Sequence, residues 1–523
     1  MTALDLSSPV AVVGTGTMGQ GIAQVALVAG HPVRLYDAVQ GRAAEAADAI
    51  GARLDRLVEK GRLSGAERDA ARARLTPAGQ LADLAGCGLV VEAVVERLDV
   101  KQELFRALED VVGDDCLLAT NTSSLSVTAI AGGLASPGRF VGLHFFNPAP
   151  LLPLVEVVSG FATDVSSATR AYETARAWGK TPVACADTPG FIVNRIARPF
   201  YAEALAVYED QGADPATIDA VLRESGGFRM GAFELTDLIG QDVNESVTHS
   251  VWQAFFQDVR FTPSLAQRRL VESGRLGRKS GQGWYDYREG AERPEPHTAE
   301  PAERPAYVVA EGGLGPAAEV LALIREAGIE VREDGEDNGY DESNGYDESN
   351  GYDEDNGTRL VLPSGGQLVL ADGQTSVEYR DVVYFDLAYD YRAATRVALA
   401  AARSTSPRTV AEATGLFQAL GKKVSVIGDV PGMIVARTVA RLVDLAVEAV
   451  AQGVATEEDV DTAMRLGVNY PLGPLEWSRR LGGGWACSVL DNLHECAPSG
   501  RYAHSLALHR HAYAADQQEG TPS

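Results

Sequence analysis

The sequence predicts an α/β domain with a doubly wound, mostly parallel sheet, then an all-helical domain, a degenerate α/β segment and a second copy of the helical domain. Three observations carry this reading. From about residue 9 to residue 185 short apolar runs alternate with helical patterns, as strands buried on both faces of a parallel sheet do. After Asp187-Thr188-Pro189-Gly190 the pattern is helical throughout. Beyond residue 420 the segment that follows this turn is repeated. The resulting boundaries are 8–187 for the α/β domain and 188–288 for the helical domain. A linker rich in Pro, Glu and Ala covers 289–305, the degenerate segment 306–418, and the second helical copy 419–515.

Composition narrows the function classes. A chain of 523 residues, 45% hydrophobic, holds several domains with ample core. No window approaches the ~18 uninterrupted apolar residues of a membrane helix, and Met1-Thr2-Ala3-Leu4-Asp5 carries no signal core. The expectation is a cytoplasmic protein without a membrane partner. A formal net charge of −26 argues against nucleic-acid binding. Cys87, Cys116, Cys185, Cys487 and Cys496 are scattered, odd in number and without a CxxC. They read as buried free thiols, with no disulfide framework and no metal site.

In chain order, Val10-Ala11-Val12-Val13 leads into a G-x-G-x-x-G loop and a helix. Gly14 permits the tight turn, Gly16 lets backbone approach a pyrophosphate, and Gly19 lets helix and strand pack closely. Thr17 and Met18 open the helix, whose N-terminal N–H groups suit phosphate. Val33 to Tyr36 is a second strand, and Asp37 ends it about 20 residues after the glycines, as a ribose-binding carboxylate should. A carboxylate there repels a 2′-phosphate, so NAD is the expected cofactor rather than NADP. Arg42 to Leu75 reads as helices carrying Lys60, Arg62 and Arg68. Strands follow at Gly88–Ala93, Leu117–Thr120, Phe140–Pro148 and Leu154–Val158. The polar clusters at Asn121-Thr122-Ser123-Ser124 and at His144 fall at strand ends, where such sheets bind ligands. Helices are then predicted over Ile192–Tyr208, Asp214–Glu224, Leu235–Phe256 and Pro263–Ser273.

Past the linker, Tyr307–Glu311, Gly313-Leu314-Gly315 and an apolar helix over Ala317–Ala327 imitate the opening of a dinucleotide domain without its full glycine pattern. Strand signals resume at 359–362, 367–370 and 382–386. The acidic insert 333–357 repeats Asn-Gly-Tyr-Asp-Glu-Ser. It lacks the D-x-D-x-D-G spacing of a calcium loop and reads as a disordered acidic loop. In the internal repeat, Asp187 to Arg195 matches Asp429 to Arg437, with Asn194 replaced by Ala436. The packing residues recur and the polar amide does not. The first copy therefore reads as functional and the second as structural.

His144 sits on an apolar run, where many histidines are merely satisfied core residues. Its strand-end position and Glu156 in the next strand favour catalysis instead. Oxidation of an alcohol by NAD needs a base for the hydroxyl proton, and imidazole titrates near neutral pH. A carboxylate on the other ring nitrogen fixes the tautomer, and a Glu156 buried between valines needs a partner. Ser123 and Asn194 are either hydrogen-bond donors to the reacting oxygen or capping residues; spacing leaves both open.

These residues resemble the 3-hydroxyacyl-CoA dehydrogenase family, particularly its long bacterial type with a duplicated C-terminal helical domain. The matching stretches are Gly14–Gly21, Val91–Glu96, Asn121–Leu125, Gly142–Pro148, Leu154–Val158, Asp187–Arg195 and Gly277–Gly281. The resemblance implies a Rossmann domain for NAD. It makes His144 the catalytic base and Glu156 its orienting partner, with Ser123 and Asn194 on the substrate's 3-oxygen. It adds Glu96, Lys101 and Asn121 to the NAD set of Gly14, Gly16, Thr17, Met18, Gly19 and Asp37. It implies an acyl-CoA substrate, short-chain or adipyl-type, in fatty-acid or aromatic (phenylacetate) catabolism. Lys60 and Arg62 become candidates for CoA, and the assembly a homodimer or a pseudo-dimer within one chain. The alternatives are a β-hydroxyacid dehydrogenase or 6-phosphogluconate-like reductase, which the Leu-His-Phe-Phe-Asn-Pro block opposes, and a catalytically silent NAD-binding protein.

Overall fold

The computed structural model describes residues 2–333 and 359–519; the acidic repeat lies outside the described residues. The chain divides into two units, Met1–Arg195 with Ala449–Val468, and Ile196–Glu448 with Asn469–Ser523.

The first unit is built on eight strands: β1 (Val10–Val13), β2 (Val33–Tyr36), β3 (Leu75–Pro77), β4 (Leu89–Glu92), β5 (Leu117–Thr120), β6 (Phe140–Phe145), β7 (Leu154–Ser159) and β8 (Thr181–Ala186). Their order is β3-β2-β1-β4-β5-β6-β7-β8. Every neighbouring pair is parallel except β6 and β7. The reversal has a local cause, because residues 146–153 are too few for the crossover that parallel neighbours need. Helices α1 (Thr17–Ala29), α2 (Arg42–Glu59), α3 (Gly65–Ala73), α4 (Leu98–Glu109), α5 (Val127–Ala131) and α6 (Val165–Ala177) connect the strands. Ile22, Ala23 and Ala26 of α1 join Val10, Val12 and Leu35 in one buried core, each large aliphatic side chain contributing about 1.5–3 kcal/mol. Asp55 of α2 holds α3 through Arg68 and Arg72, at 3.0 and 2.6 Å. The short α7 (Val193–Ile196) closes this unit's first segment.

In the second unit the first helical copy comprises α8 (Arg198–Glu209), α9 (Pro215–Glu224), α10 (Ala232–Ile239), α11 (Gln241–Ala254) and α12 (Leu265–Glu272). Two helices predicted as continuous are each split. Ile192–Tyr208 breaks ahead of Pro199, which has no N–H to give to a preceding turn. Leu235–Phe256 breaks at Gly240, whose φ of +107° lies outside helical space. Next comes a second sheet: β9 (Tyr307–Glu311), β10 (Glu330–Glu333), β11 (Arg359–Val361), β12 (Gln367–Leu370), β13 (Val382–Phe385), β14 (Arg396–Ala401) and β15 (Lys423–Ile427). The order is β10-β9-β11-β12-β13-β14-β15. From β12 to β15 the pairings run parallel, antiparallel, parallel. That is the pattern of β5 to β8, so this sheet keeps the far half of the first.

Helices α13 (Glu319–Glu326) and α14 (Pro407–Ala419) flank the sheet. The second helical copy follows as α15 (Val435–Ala451), α16 (Glu457–Gly467), α17 (Pro474–Leu481), α18 (Trp485–Cys496) and α19 (Leu506–Glu519). Of these, α16 belongs to the first unit, where it packs on β7 and β8.

The stretch 289–305 has no regular structure, yet it is fastened within the second unit. The Ala299 amide donates to Val424 O at 2.8 Å, and the His297 amide to Thr217 Oγ1 at 2.8 Å. Arg396 and Ser425 both donate to His297 O.

The two helical copies share a buried ion cluster. Glu203 of α8 accepts from Arg437 of α15 at 3.0 Å and from Arg501 at 3.1 Å, and the Tyr502 hydroxyl adds a further bond. Burial raises the Glu203 pKa, but the charges of Arg501 and Arg437 outweigh it and lower it to about 2. A carboxylate depressed in the folded state adds stability above its unfolded pKa, lost as pH falls through the folded value. Acid unfolding is therefore expected to steepen between about pH 4.5 and 2. Glu203→Gln should flatten that limb and cost about 3–5 kcal/mol at neutral pH, because two arginines lose their buried partner; urea melts across pH check both.

Candidate active site

Each catalytic candidate lies in the first unit, around the C-terminal ends of β5 and β6. β6 and β7 pair in a register that sets His144 directly opposite Glu156. Residues so paired carry neighbouring side chains on one face. His144 Nδ1 lies 2.6 Å from Glu156 Oε2. The other carboxylate oxygen accepts the amides of Ile192 and Val193, at 3.0 and 2.9 Å. Glu156 is fully buried and His144 is 5% exposed. Phe146 and Phe191 wall the imidazole, with ring centroids 4.5 and 5.8 Å away. With Nδ1–H donating to the carboxylate, Nε2 is the nitrogen left to take a proton.

Asn194 Nδ2 donates to Ser123 O at 3.3 Å, which joins those two candidates. The Ser123 loop is itself held from below. Glu96 accepts the Thr122 hydroxyl at 2.6 Å and the amides of Ser123 and Ser124 at 2.9 and 3.1 Å. Lys101 bridges Glu96 at 3.1 Å to the fully buried Glu92 at 2.6 Å. Burial raises the Glu96 pKa, while the Lys101 charge and these hydrogen bonds more than offset it and hold it low. Asn121 Oδ1 accepts the Phe145 amide at 2.8 Å and ties the end of β5 to the end of β6. Sequence reasoning missed Glu92. Its signal was an acid closing an apolar strand, where a buried charge requires a cation.

The glycine loop fits a dinucleotide. Gly14 has φ +94°, and a Cβ on Gly19 would stand 1.8 Å from Gly14 O. At Gly16 a Cβ would meet nothing within 4 Å, so this position opens onto free space. Gly16 also caps α1 with no side-chain acceptor for the helix N–H groups, the arrangement that receives phosphate. Thr17 is exposed and Met18 half-buried at the same helix start. Asp37 Oδ2 accepts the Thr15 amide and hydroxyl at 3.0 and 2.7 Å, and Oδ1 accepts the Val39 amide. Burial raises this carboxyl, but the Thr15 and Val39 hydrogen bonds prevail and lower it, so it is an anion at neutral pH. Lys60 and Arg62 sit exposed after α2.

The second copy shows what the first has kept. Ala398 is the β14 residue beside Ser425, as Glu156 is beside Val183. The Asp386 amide donates to Ala398 O, so Asp386 stands where β6 carries His144. Its carboxylate accepts the amides of Ile434, Val435 and Ala436 at 2.8–3.0 Å. The second copy therefore satisfies the same helix start with an acid in the histidine's place and an alanine in the glutamate's. Its glycine turn also differs, for Leu314 is buried and Pro316 follows.

Residues 9–188 match the NAD-binding domain of 3-hydroxyacyl-CoA dehydrogenase, and residues 190–287 and 432–521 its C-terminal domain. Residues 368–431 match the reduced Rossmann-fold domain of 3-hydroxybutyryl-CoA dehydrogenase. The chain is 43% identical to the 3-hydroxyadipyl-CoA dehydrogenase of Escherichia coli strain K12, over 96% of this chain and 97% of that protein. It is 38% identical to a 3-hydroxybutyryl-CoA dehydrogenase of Mycobacterium tuberculosis, over 54% of this chain and 99% of that one. The crystal structure of 3-hydroxybutyryl-CoA dehydrogenase from E. coli K12 superposes with a TM-score of 0.85 at 41% identity, covering 98% of this chain and all of that one. A Rossmann sheet, a cradle suited to NAD, and family matches along nearly the whole length lead to one conclusion: the chain belongs to the 3-hydroxyacyl-CoA dehydrogenase family and is an NAD-dependent enzyme that interconverts 3-hydroxyacyl-CoA and 3-oxoacyl-CoA.

Proposed function

We propose that this enzyme oxidises a (3S)-3-hydroxyacyl-CoA whose acyl group is of the adipyl type. The observation that carries the mechanism is the buried His144–Glu156 pair, 2.6 Å apart. His144 Nε2 removes the proton of the C3 hydroxyl as hydride leaves C3. Glu156 stabilises the imidazolium that forms. Ser123 and Asn194 hydrogen-bond the oxygen as it becomes a carbonyl. NAD, when bound, supplies the hydride acceptor. Gly14, Gly16, Thr17, Met18 and Gly19 would receive its pyrophosphate, and Asp37 would accept from its ribose. Glu96 and Asn121 would line the NAD site, with Lys101 holding Glu96 in place. In reverse, His144 returns the proton.

The adipyl reading is supported by the full-length relative, a 3-hydroxyadipyl-CoA dehydrogenase at 43% identity; it would place the enzyme in aromatic (phenylacetate) catabolism. It is tested by kcat/KM for acetoacetyl-CoA, longer straight-chain 3-oxoacyl-CoAs and a 3-oxodicarboxylyl-CoA. The dicarboxylyl substrate is expected to lead by ten-fold or more, since a site built to pair a polar group rejects analogues lacking it by large factors, up to about 10⁴. A lead for acetoacetyl-CoA would assign the enzyme to short-chain substrates.

The second helical copy is proposed to supply, within one chain, the surface that a partner's helical domain gives in a dimer. The ion cluster of Glu203 with Arg437 and Arg501 supports this. The expected mass in solution is that of one chain; a dimer docked through the first helical copy would refute it. A cytoplasmic location is proposed as well, supported by five free cysteines. Among the described residues no helix is long and apolar enough to cross a membrane.

A further inference from the structure

We propose that Cys487, His504 and His509 form a binding site for a soft divalent transition metal, zinc foremost, in the second helical copy. One ligand atom from each lies within 4.8 Å of the other two. Cys487 is buried on α18, while His504 precedes α19 and His509 stands in its first turns. The two imidazoles stack with centroids 5.6 Å apart. A thiolate with two imidazoles is a donor set that zinc prefers, and its ligand atoms lie about 3.5 Å apart around the ion. His509 is exposed and His504 half-buried, so side-chain rotation can bring them to that spacing.

A fourth residue supports the site. Asp491 lies one turn after Cys487 on α18, and its Oδ1 is 2.8 Å from His504 Nδ1. A carboxylate on one ring nitrogen fixes the tautomer and presents the other nitrogen to a metal. The second Asp491 oxygen lies 3.9 Å from Cys487 Sγ. Three protein ligands leave the fourth tetrahedral position to solvent. The ion would clamp the start of α19 to α18. Sequence spacing concealed the group, because its members are brought together by the turn between two helices and no CxxC marks them.

The test uses the full-length, untagged chain, stripped by chelator and titrated with Zn²⁺ or Co²⁺. Expected are one equivalent of metal per chain, a rise in Tm with Zn²⁺, and with Co²⁺ a thiolate charge-transfer band with the visible absorption of a tetrahedral site. Cys487→Ser should abolish the charge-transfer band. Asp491→Asn should weaken Zn²⁺ binding about 10–100-fold. Metal-free enzyme should keep its NAD-dependent turnover in each variant. Absence of the band, its survival in Cys487→Ser, or unchanged Zn²⁺ affinity in a His504→Ala/His509→Ala double variant would each overturn the proposal.

Discussion

His144→Gln is expected to lower kcat for 3-hydroxyacyl-CoA oxidation by about 10²–10⁴-fold, the range that a positioned general base supplies, while NAD affinity stays unchanged. Glutamine keeps a planar polar side chain at this position on β6 but cannot take a proton near neutral pH. The imidazole is placed opposite Glu156, whereas the cofactor loop lies at the end of β1. Steady-state rates paired with calorimetric NAD titration separate these effects. Retained turnover would remove His144 from the role of base.

Glu156→Ala should be the more damaging change, because this carboxylate has two tasks. It holds the His144 tautomer, and it accepts two amides at the start of α7. Loss of the first task costs about 10⁴-fold in kcat where a carboxylate orients a catalytic histidine. Loss of the second leaves buried donors unsatisfied, at about 1–3 kcal/mol each. Glu156→Gln separates the tasks: its carbonyl oxygen can still accept from the helix start, so Tm should fall much less, while the rate falls nearly as far as in the alanine variant. Parallel kcat and thermal-unfolding measurements read the two. Wild-type kcat in Glu156→Gln would show that the carboxylate does not orient the base.

Short-range features were legible in the residues alone. The glycine loop needs particular residues at fixed offsets, and Gly14 and Gly19 meet the expected constraints of positive φ and close packing. His144 and Glu156 were marked by charge inside apolar strands, and their contact awaited the register of β6 with β7. The mostly parallel sheet was legible in the alternation of strands and helices, and its one antiparallel pair, β6 with β7, follows from the short loop over 146–153. Helix breaks at Pro199 and Gly240 were overridden by apolar periodicity that continues across them. The role of Glu92 was not legible, because its partner Lys101 lies a helical turn into α4 and only the fold brings the two together. The shared turn Asp187/Asp429 was found as a repeat, and its purpose came from the structure. Asp187 accepts from Ser126 and Thr128 and so pins the start of α5, and Asp429 accepts the Ser376 amide in the second copy.

The exchanged acids of the two copies have an evolutionary consequence. Turning the second copy into a reaction centre would require histidine at 386 and glutamate at 398 together. Asp386→His alone strips the acceptor from three buried amides, and Ala398→Glu alone crowds a second anion against the first. Each single change is expected to destabilise the second copy, so regaining the catalytic pair takes two coordinated substitutions. With no histidine at 386 and no glutamate at 398, substitutions that stabilise the second copy escape the trade-off against activity that constrains the first.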